Sequence, residues 1–551
     1  MRKKVVSVIL ATLMAASLLA GCGSSEAATE TAAEQETSGE AGAVEESAEA
    51  SSVVIDDANA DASGAKTGGV LKLGTAQSPS VVGYTPEITN NSFIEYLRCA
   101  YESLLYYDED GNIIGQLASE WEADAENATL LFTLADGVTF SDGTAFNAEA
   151  VKWNIEKYQE AGRSEVNNVD SVDVIDEKTV QINLKEWNSS SLELVGFFIY
   201  YMSPTAYEEQ GVEWLRSNSC GTGPFVVSGF EQGVSVSYTK NENYHVEGQP
   251  YLDGVEFTIY ADATTLENSL RAGEIDVVTY ADVDLWNNVQ NDSNYTVDRN
   301  ANGQGVESVG LIPSSADESD PFYDARVRQA FCYAVDWDTL VSSLSYGLYE
   351  RTNQWAAPGS VTYNPNVVGY SYDPEKAKEL LAEAGYADGF TTTLYVPGST
   401  GFYANAAAVV SASLAEVGIT ANIETVDAAK GNDIMSNGWT GLYWHFASIG
   451  PDLGLYMGRH LDVDGAYYAK GIQHPDDCLD LLAQIRVATN DEEKIALEWE
   501  LQEKIYDEYA LFGEPLFVNS AVWIRSTDVK GGQFAVVHAA TWSPATCWLD
   551  R

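Results

Sequence analysis

Between residues 68 and 551 two hydrophobic periodicities take turns along the chain. A sequence of this kind buries both of them only by layering helices on sheets. Strand-like stretches include Val70-Leu71-Lys72-Leu73-Gly74, residues 129–134 and residues 172–175. Val180-Gln181-Ile182-Asn183-Leu184 alternates as a half-buried strand should, and turn signals such as Asp136-Gly137 and Asp176-Glu177-Lys178 separate these stretches. Helical spacing runs through residues 91–105 at Phe93, Ile94, Leu97, Tyr101, Leu104 and Leu105. Asn147 is placed to cap a helix that reaches about residue 161, before Gly162. Asp324 precedes another helical run. Asp373-Pro374 opens the clearest helix, with Ala377, Leu380, Leu381 and Ala384 on one face and Gly385 at its end. A long helix over 491–510 and a last strand over 516–524 complete an α/β pattern long enough for more than one lobe.

The first 67 residues read differently. Arg2, Lys3 and Lys4 precede an apolar run over 5–20, too short to be a good membrane span. It ends in Leu18-Leu19-Ala20-Gly21-Cys22, which resembles a bacterial lipobox and implies cleavage before Cys22 and lipidation of that cysteine. Residues 23–66 are almost wholly small or acidic, with Lys66 the one basic residue. Such a composition predicts a disordered tether that its own charge extends.

The formal net charge is −54, and loss of the leader's three cations makes it more negative. That disfavours nucleic acid and peripheral adhesion to anionic lipid, whose phosphates would be repelled. Cys99, Cys220, Cys332, Cys478 and Cys547 show no metal spacing, and they read as buried small residues with room for one disulfide. His245, His445, His460, His474 and His538 form no pair at helical metal spacing. No nucleophile elbow and no reactive cysteine context is present, so neither catalysis nor a cofactor or metal is expected. Gly221-Thr222-Gly223-Pro224 lacks the third glycine of a dinucleotide loop. Asp108-Glu109-Asp110-Gly111 and Asp462-Val463-Asp464-Gly465 carry their glycine too early for an EF-hand and read as turns.

A series of short motifs runs through the body in a fixed order. It begins with Tyr101-Glu102-Ser103-Leu104-Leu105, Leu117-Ala118-Ser119-Glu120-Trp121 and Phe132-Thr133-Leu134-Ala135-Asp136-Gly137-Val138. Ala148-Glu149-Ala150-Val151, Gly221-Thr222-Gly223-Pro224-Phe225, Asn241-Glu242-Asn243-Tyr244 and Ala272-Gly273-Glu274-Ile275-Asp276 follow. Asp324-Ala325-Arg326-Val327-Arg328-Gln329-Ala330-Phe331 and Tyr372-Asp373-Pro374 close the series. Together they resemble the extracellular solute-binding proteins of family 5, which carry peptides, opines or nickel chelates to ABC importers. The resemblance implies a two-lobed periplasmic-binding-protein-like fold (type II, cluster C), with an extra β-rich subdomain in the first lobe. The implied layout is a leader over 1–21, lipidated Cys22 and linker over 22–67, and a first lobe over 68–305 with its subdomain at about 110–220. A second lobe covers 306–515, and 516–551 return to the first. The chain crosses between lobes near 302–311 and 515–523.

The same resemblance supplies the site candidates. The stretch Trp439-Thr440-Gly441-Leu442-Tyr443-Trp444-His445-Phe446 and the following Asp452 correspond to a segment facing the cleft. Peptide-binding members use an aspartate there for the ligand's amino terminus, and Asp452 is the candidate, although it equally suits the cap of a helix starting near residue 453. His445 stands where a chelate binder offers an axial ligand. Of Tyr443 and Trp444, alternation sends one to the core and the other to the cleft. Gly303 and Gln304 lie at a crossing, Trp355 in a loop before Pro358, and Tyr84 in the loop before the first long helix.

The expectation is a monomeric, lipid-anchored, extracytoplasmic binding protein, not an enzyme, working with an ABC permease and ATPase. Oligopeptide or dipeptide ranks first as solute, ahead of a nickel or other metal chelate and an oligosaccharide. A sensory lipoprotein and a secreted hydrolase are the rivals from other classes.

Overall fold

The computed structural model describes residues 64–88, 93–108, 112–299, 307–398, 401–448, 452–519, 522–534 and 542–551. Cys22, Gly303 and Gln304 lie outside them, as does the tether up to residue 63.

Val70–Thr75 is the middle of a seven-stranded sheet. It pairs in parallel with Gly254–Ile259 on one side and Val277–Val278 on the other. Ser235–Lys240 and Phe225–Glu231 extend one edge; Trp523–Ser526 and Tyr295–Asp298 extend the other. Leu71, Leu73, Val255 and Phe257 are fully buried against the helix Ile94–Ala100 and the residues around Trp542. Parallel strands sit inside a layered body because their crossover helices cover the faces.

A four-stranded antiparallel sheet is inserted after this opening, in spatial order Ala118–Asp124, Thr129–Leu134, Thr179–Leu184, Val169–Val174. Thr129–Leu134 and Thr179–Leu184 bury every second residue, as the alternation of the latter predicts. The helix Ala148–Glu160 covers the buried face, and the Asn147 side chain accepts from the Ala150 amide at its N-terminus.

The second large sheet has six strands: Glu350–Arg351, Glu514–Asn519, Glu307–Pro313, Leu442–Ser448, Phe390–Pro397 and Ile419–Val426, in that spatial order. Phe390–Pro397 and Ile419–Val426 are parallel and joined through the helix Gly401–Glu416. Separate cores lie on the two faces of this sheet. The chain passes from the first large sheet to the second between Asp298 and Glu307, and back between Asn519 and Trp523. The result is the two-lobed α/β fold.

Three elements differ from their periodicity. The first long helix stops at Ala100, because Tyr101 turns extended and Leu105 joins the strand Leu105–Tyr107. The helix begun at Asp491 is α-helical to Glu503 and then widens into a π-turn over Lys504–Glu508. The closing strand is two strands, one in each large sheet. Cys99, Cys220, Cys332, Cys478 and Cys547 are buried and unpaired, so none uses the room for a disulfide. Among the described residues no helix is long and apolar enough to cross a membrane.

Candidate functional site

The strand Leu442–Ser448 carries three of the sequence candidates. Its alternation separates Trp444, packed on one face with Leu442, from Tyr443, packed on the other. Helices cover both faces, so Tyr443 and Trp444 are each core residues. His445 shares the face of Tyr443. Its Nε2 accepts a hydrogen bond from Trp355 Nε1 at 3.1 Å, and the Trp355 amide donates to Tyr506 Oη at 3.0 Å. The Trp355 ring lies 4.4 Å from that of Phe512 and 4.7 Å from that of His460. Burial, with His460 nearby, pushes the His445 pKa down to about 3, so the ring is neutral. Gly310 stands opposite His445 in the ladder, and a Cβ there would lie 2.5 Å from His445 Cε1. Glycine is what lets the imidazole occupy this place. Trp355 and His445 are thus brought together, inside the second lobe.

Asp452 lies elsewhere, on the seam between the lobes. One oxygen accepts from the Leu455 amide at 3.0 Å and caps the helix Leu453–Leu461. The other is 2.7 Å from Lys494 Nζ. Glu498 accepts from the Gly454 amide at 2.7 Å in the same first turn. From the first lobe, Glu193 of the helix Ser191–Phe197 reaches this group and hydrogen-bonds with Tyr456 and Tyr107. Three carboxylates therefore share one close ammonium. Burial, then the charge of Asp452, pushes both Glu193 and Glu498 up to about 8. Burial works against the Lys494 ammonium, yet Asp452 and Glu498 hold its pKa above the usual lysine value.

Beside this cluster the lobes bond directly. The Ser189 hydroxyl donates to the Ile485 carbonyl at 2.9 Å, the Ser189 amide to that of Arg486 at 2.8 Å, and Trp187 Nε1 to that of Ala488 at 3.0 Å. These acceptors belong to the end of the helix Asp476–Val487, where the ordinary helical donors run out; the Ile485 carbonyl also takes the Ala488 amide at 3.3 Å. The first lobe thus caps a second-lobe helix. No signal in Glu186-Trp187-Asn188-Ser189 announces this, because the partners are about three hundred residues away. Tyr84 does not join the seam. It is half-buried in the first lobe with its ring 6.2 Å from that of Tyr207. Among the described residues no group of three or more His, Cys, Asp or Glu is placed to hold a metal ion.

The model of the bacterial extracellular solute-binding proteins, family 5, matches residues 112–457. The chain belongs to this family. The glutathione-binding protein GsiB of Shigella flexneri is 29% identical to this family 5 chain over 342 residues, 60% of the chain and 64% of the relative. The chain thus spans slightly less than two thirds of that curated relative's length. Among solved structures, the periplasmic binding protein DppA of Helicobacter pylori with the peptide STSA superposes with a TM-score of 0.74 at 22% identity, covering 88% of this chain and 99% of that one. NikA of Brucella suis with Fe(III)-EDTA gives 0.75 at 22% identity, over 86% and 99%. At these identities the likeness is one of fold.

Proposed function

We propose that this chain is the extracytoplasmic solute-binding lipoprotein of an ABC importer, anchored through Cys22, and that its solute is an oligopeptide or dipeptide. The carrying observation is the seam: two lobes, each with its own sheet and core, joined by two crossings and closed by first-lobe donors on a second-lobe helix end. Such a body opens by rotation of one lobe against the other. A solute held between the lobes favours the closed state by the difference in its affinity for the two states. Closure then presents one surface to a permease, and no bond in the solute need change. Membership of family 5 supports the importer, and the peptide-bound DppA among its structural neighbours supports the solute class.

Native mass spectrometry of the protein purified from its own cells, with whatever solute stays bound, tests this reading. A peptide is expected. A chelate or a sugar would replace the solute class, and turnover of the bound compound would overturn the binding role. Cys22→Ala is expected to release the protein from the membrane fraction; unchanged membrane retention would reject the anchor.

A further inference from the structure

The first lobe contains a buried acid that the seam does not use. Glu95 lies in the first turn of the helix Ile94–Ala100 and is 3% exposed. Neither of its carboxyl oxygens makes a hydrogen bond of good geometry. Among the described residues no lysine, arginine or histidine pairs with it. Arg98, one turn on, is engaged elsewhere: its Nε donates to the Trp542 carbonyl at 2.9 Å, and its guanidinium lies 3.9 Å from the centroid of the Tyr106 ring.

The place of Glu95 in the sheet bears on its use. Thr75 and Thr279 turn their hydroxyls to its carboxyl, and its charge also reaches the neutral side chains of Tyr96, Cys99 and Tyr238. Thr75 ends the central strand Val70–Thr75, and Thr279 follows the strand Val277–Val278 that runs parallel to it. Both hydroxyls thus stand at the carboxyl ends of neighbouring parallel strands. The central strand has parallel partners on both sides, and in open α/β sheets the crevice at this point is where ligands bind. The Thr279 hydroxyl is also buried without a partner. The chain's return crossing lies close by: the Ala281 amide donates to the Val522 carbonyl at 2.8 Å, and the Tyr280 ring is 6.3 Å from that of Trp523. Tyr280 has φ +51°, a left-handed conformation that a bulky residue adopts at a cost and that is concentrated at ligand clamps.

The two carboxyl oxygens of Glu95 and the Thr279 hydroxyl lie buried together beside the interlobe crossing, faced by one another and by Thr75 but, among the described residues, by no cation. A primary ammonium has three N–H donors and a full positive charge. We infer that Glu95 and Thr279 form a subsite for a primary ammonium of the solute. The inference rests on the solute-binding reading above and deepens it, since it requires an amine-bearing solute and assigns the amine to the first lobe. Apart from a cation, the acid is costly: burial, only partly opposed by the Thr279 and Thr75 hydroxyls, pushes its pKa up to about 8, so at neutral pH it holds a proton until an ammonium displaces it. Binding through this subsite should therefore release a proton.

The test uses the mature chain and three probes: a library of free-amine tripeptides, the same library after N-acetylation, and amine-free solutes represented by maltotriose and nickel(II) citrate. Capture is read by native mass spectrometry and affinity by calorimetry. Wild type is expected to take members of the first library only. Glu95→Gln is expected to lose about 10- to 100-fold in affinity, with a melting temperature equal to or above wild type, because a neutral amide is cheaper to bury. Thr279→Val, which leaves the acid in place, is expected to lose about fivefold. Calorimetry in buffers of different ionisation enthalpy is expected to show proton release by wild type but not by Glu95→Gln. Equal affinity in Glu95→Gln, or uptake of the acetylated library, overturns the subsite and leaves the peptide reading standing. Capture of the amine-free solutes alone overturns the peptide reading and the subsite together. Capture of none of the three counts against solute binding itself.

Discussion

Ser189 of the first lobe donates its hydroxyl to the carbonyl of Ile485, in the last turn of a second-lobe helix, at 2.9 Å. With the Ser189 amide and Trp187 Nε1 it places three donors on one helix end. In the open state water takes their place, so each bond favours closure by about 1 kcal/mol. Ser189→Ala combined with Trp187→Phe removes two of them and is expected to lower the closed-to-open ratio by about 10- to 30-fold. Single-molecule energy transfer between labels on the two lobes measures that ratio, and an unchanged distribution would reject the latch.

Closure should also depend on pH through Glu193. Facing it are Asp452, Lys494, Arg459, Tyr456 and Tyr107. Its carboxyl is raised from 4.5 to about 8, first by burial and then by Asp452, so the closed form keeps a proton that an exposed Glu193 would lose. A raised carboxyl pKa favours the closed form at low pH, and the contribution disappears as pH rises through about 8. The closed population is expected to fall from about pH 4.5 to about pH 8 in wild type, to level off above that, and to vary less in Glu193→Gln. Equal slopes in the two proteins would remove Glu193 from the account.

Lys494 is the ammonium within ion-pair distance of Asp452, and it lies near Glu498 and Glu193 as well. Lys494→Met leaves those carboxylates facing one another in a buried place. The expected loss is about 3–5 kcal/mol of unfolding free energy, read from denaturant titration. A loss below 1 kcal/mol would show that the carboxylates protonate at little cost.

His445 and Trp355 make a prediction about the second lobe alone. His445→Phe leaves Trp355 Nε1 buried without its acceptor, at an expected cost of about 1–3 kcal/mol. The sign with pH is opposite to that of Glu193. The folded pKa values of His445 and His460 are lowered to about 3 and about 4, mainly by burial, so the unfolded chain binds protons first as pH falls below 6.5. Their contribution is complete above pH 6.5 and is lost toward pH 4. The wild-type unfolding free energy should therefore drop over that interval more steeply than that of His445→Phe. Parallel curves would contradict the burial of a neutral ring.

Local signals were legible where a few neighbouring residues decide the outcome. Asn147 and Asp373 cap their helices as their spacing predicts, and Thr179–Leu184 buries alternate residues. Alternation also separated Tyr443 from Trp444. It could not reveal that helices cover both faces of their sheet, which sends both rings into cores. Asp452 was visible as a carboxylate before a helix, but its partner Lys494 stands more than forty residues on and its neighbour Glu193 belongs to the other lobe.

The sequence alone determined the alternation of helix and strand, the caps and turns, the acidic character and the family, because each is written in residue types and short spacings. Tertiary structure alone decided which polar groups are satisfied. Ser189 meets Ile485, Asp452 meets Lys494, and Glu95 meets no base among the described residues, because burial and pairing depend on which distant segments the fold brings together.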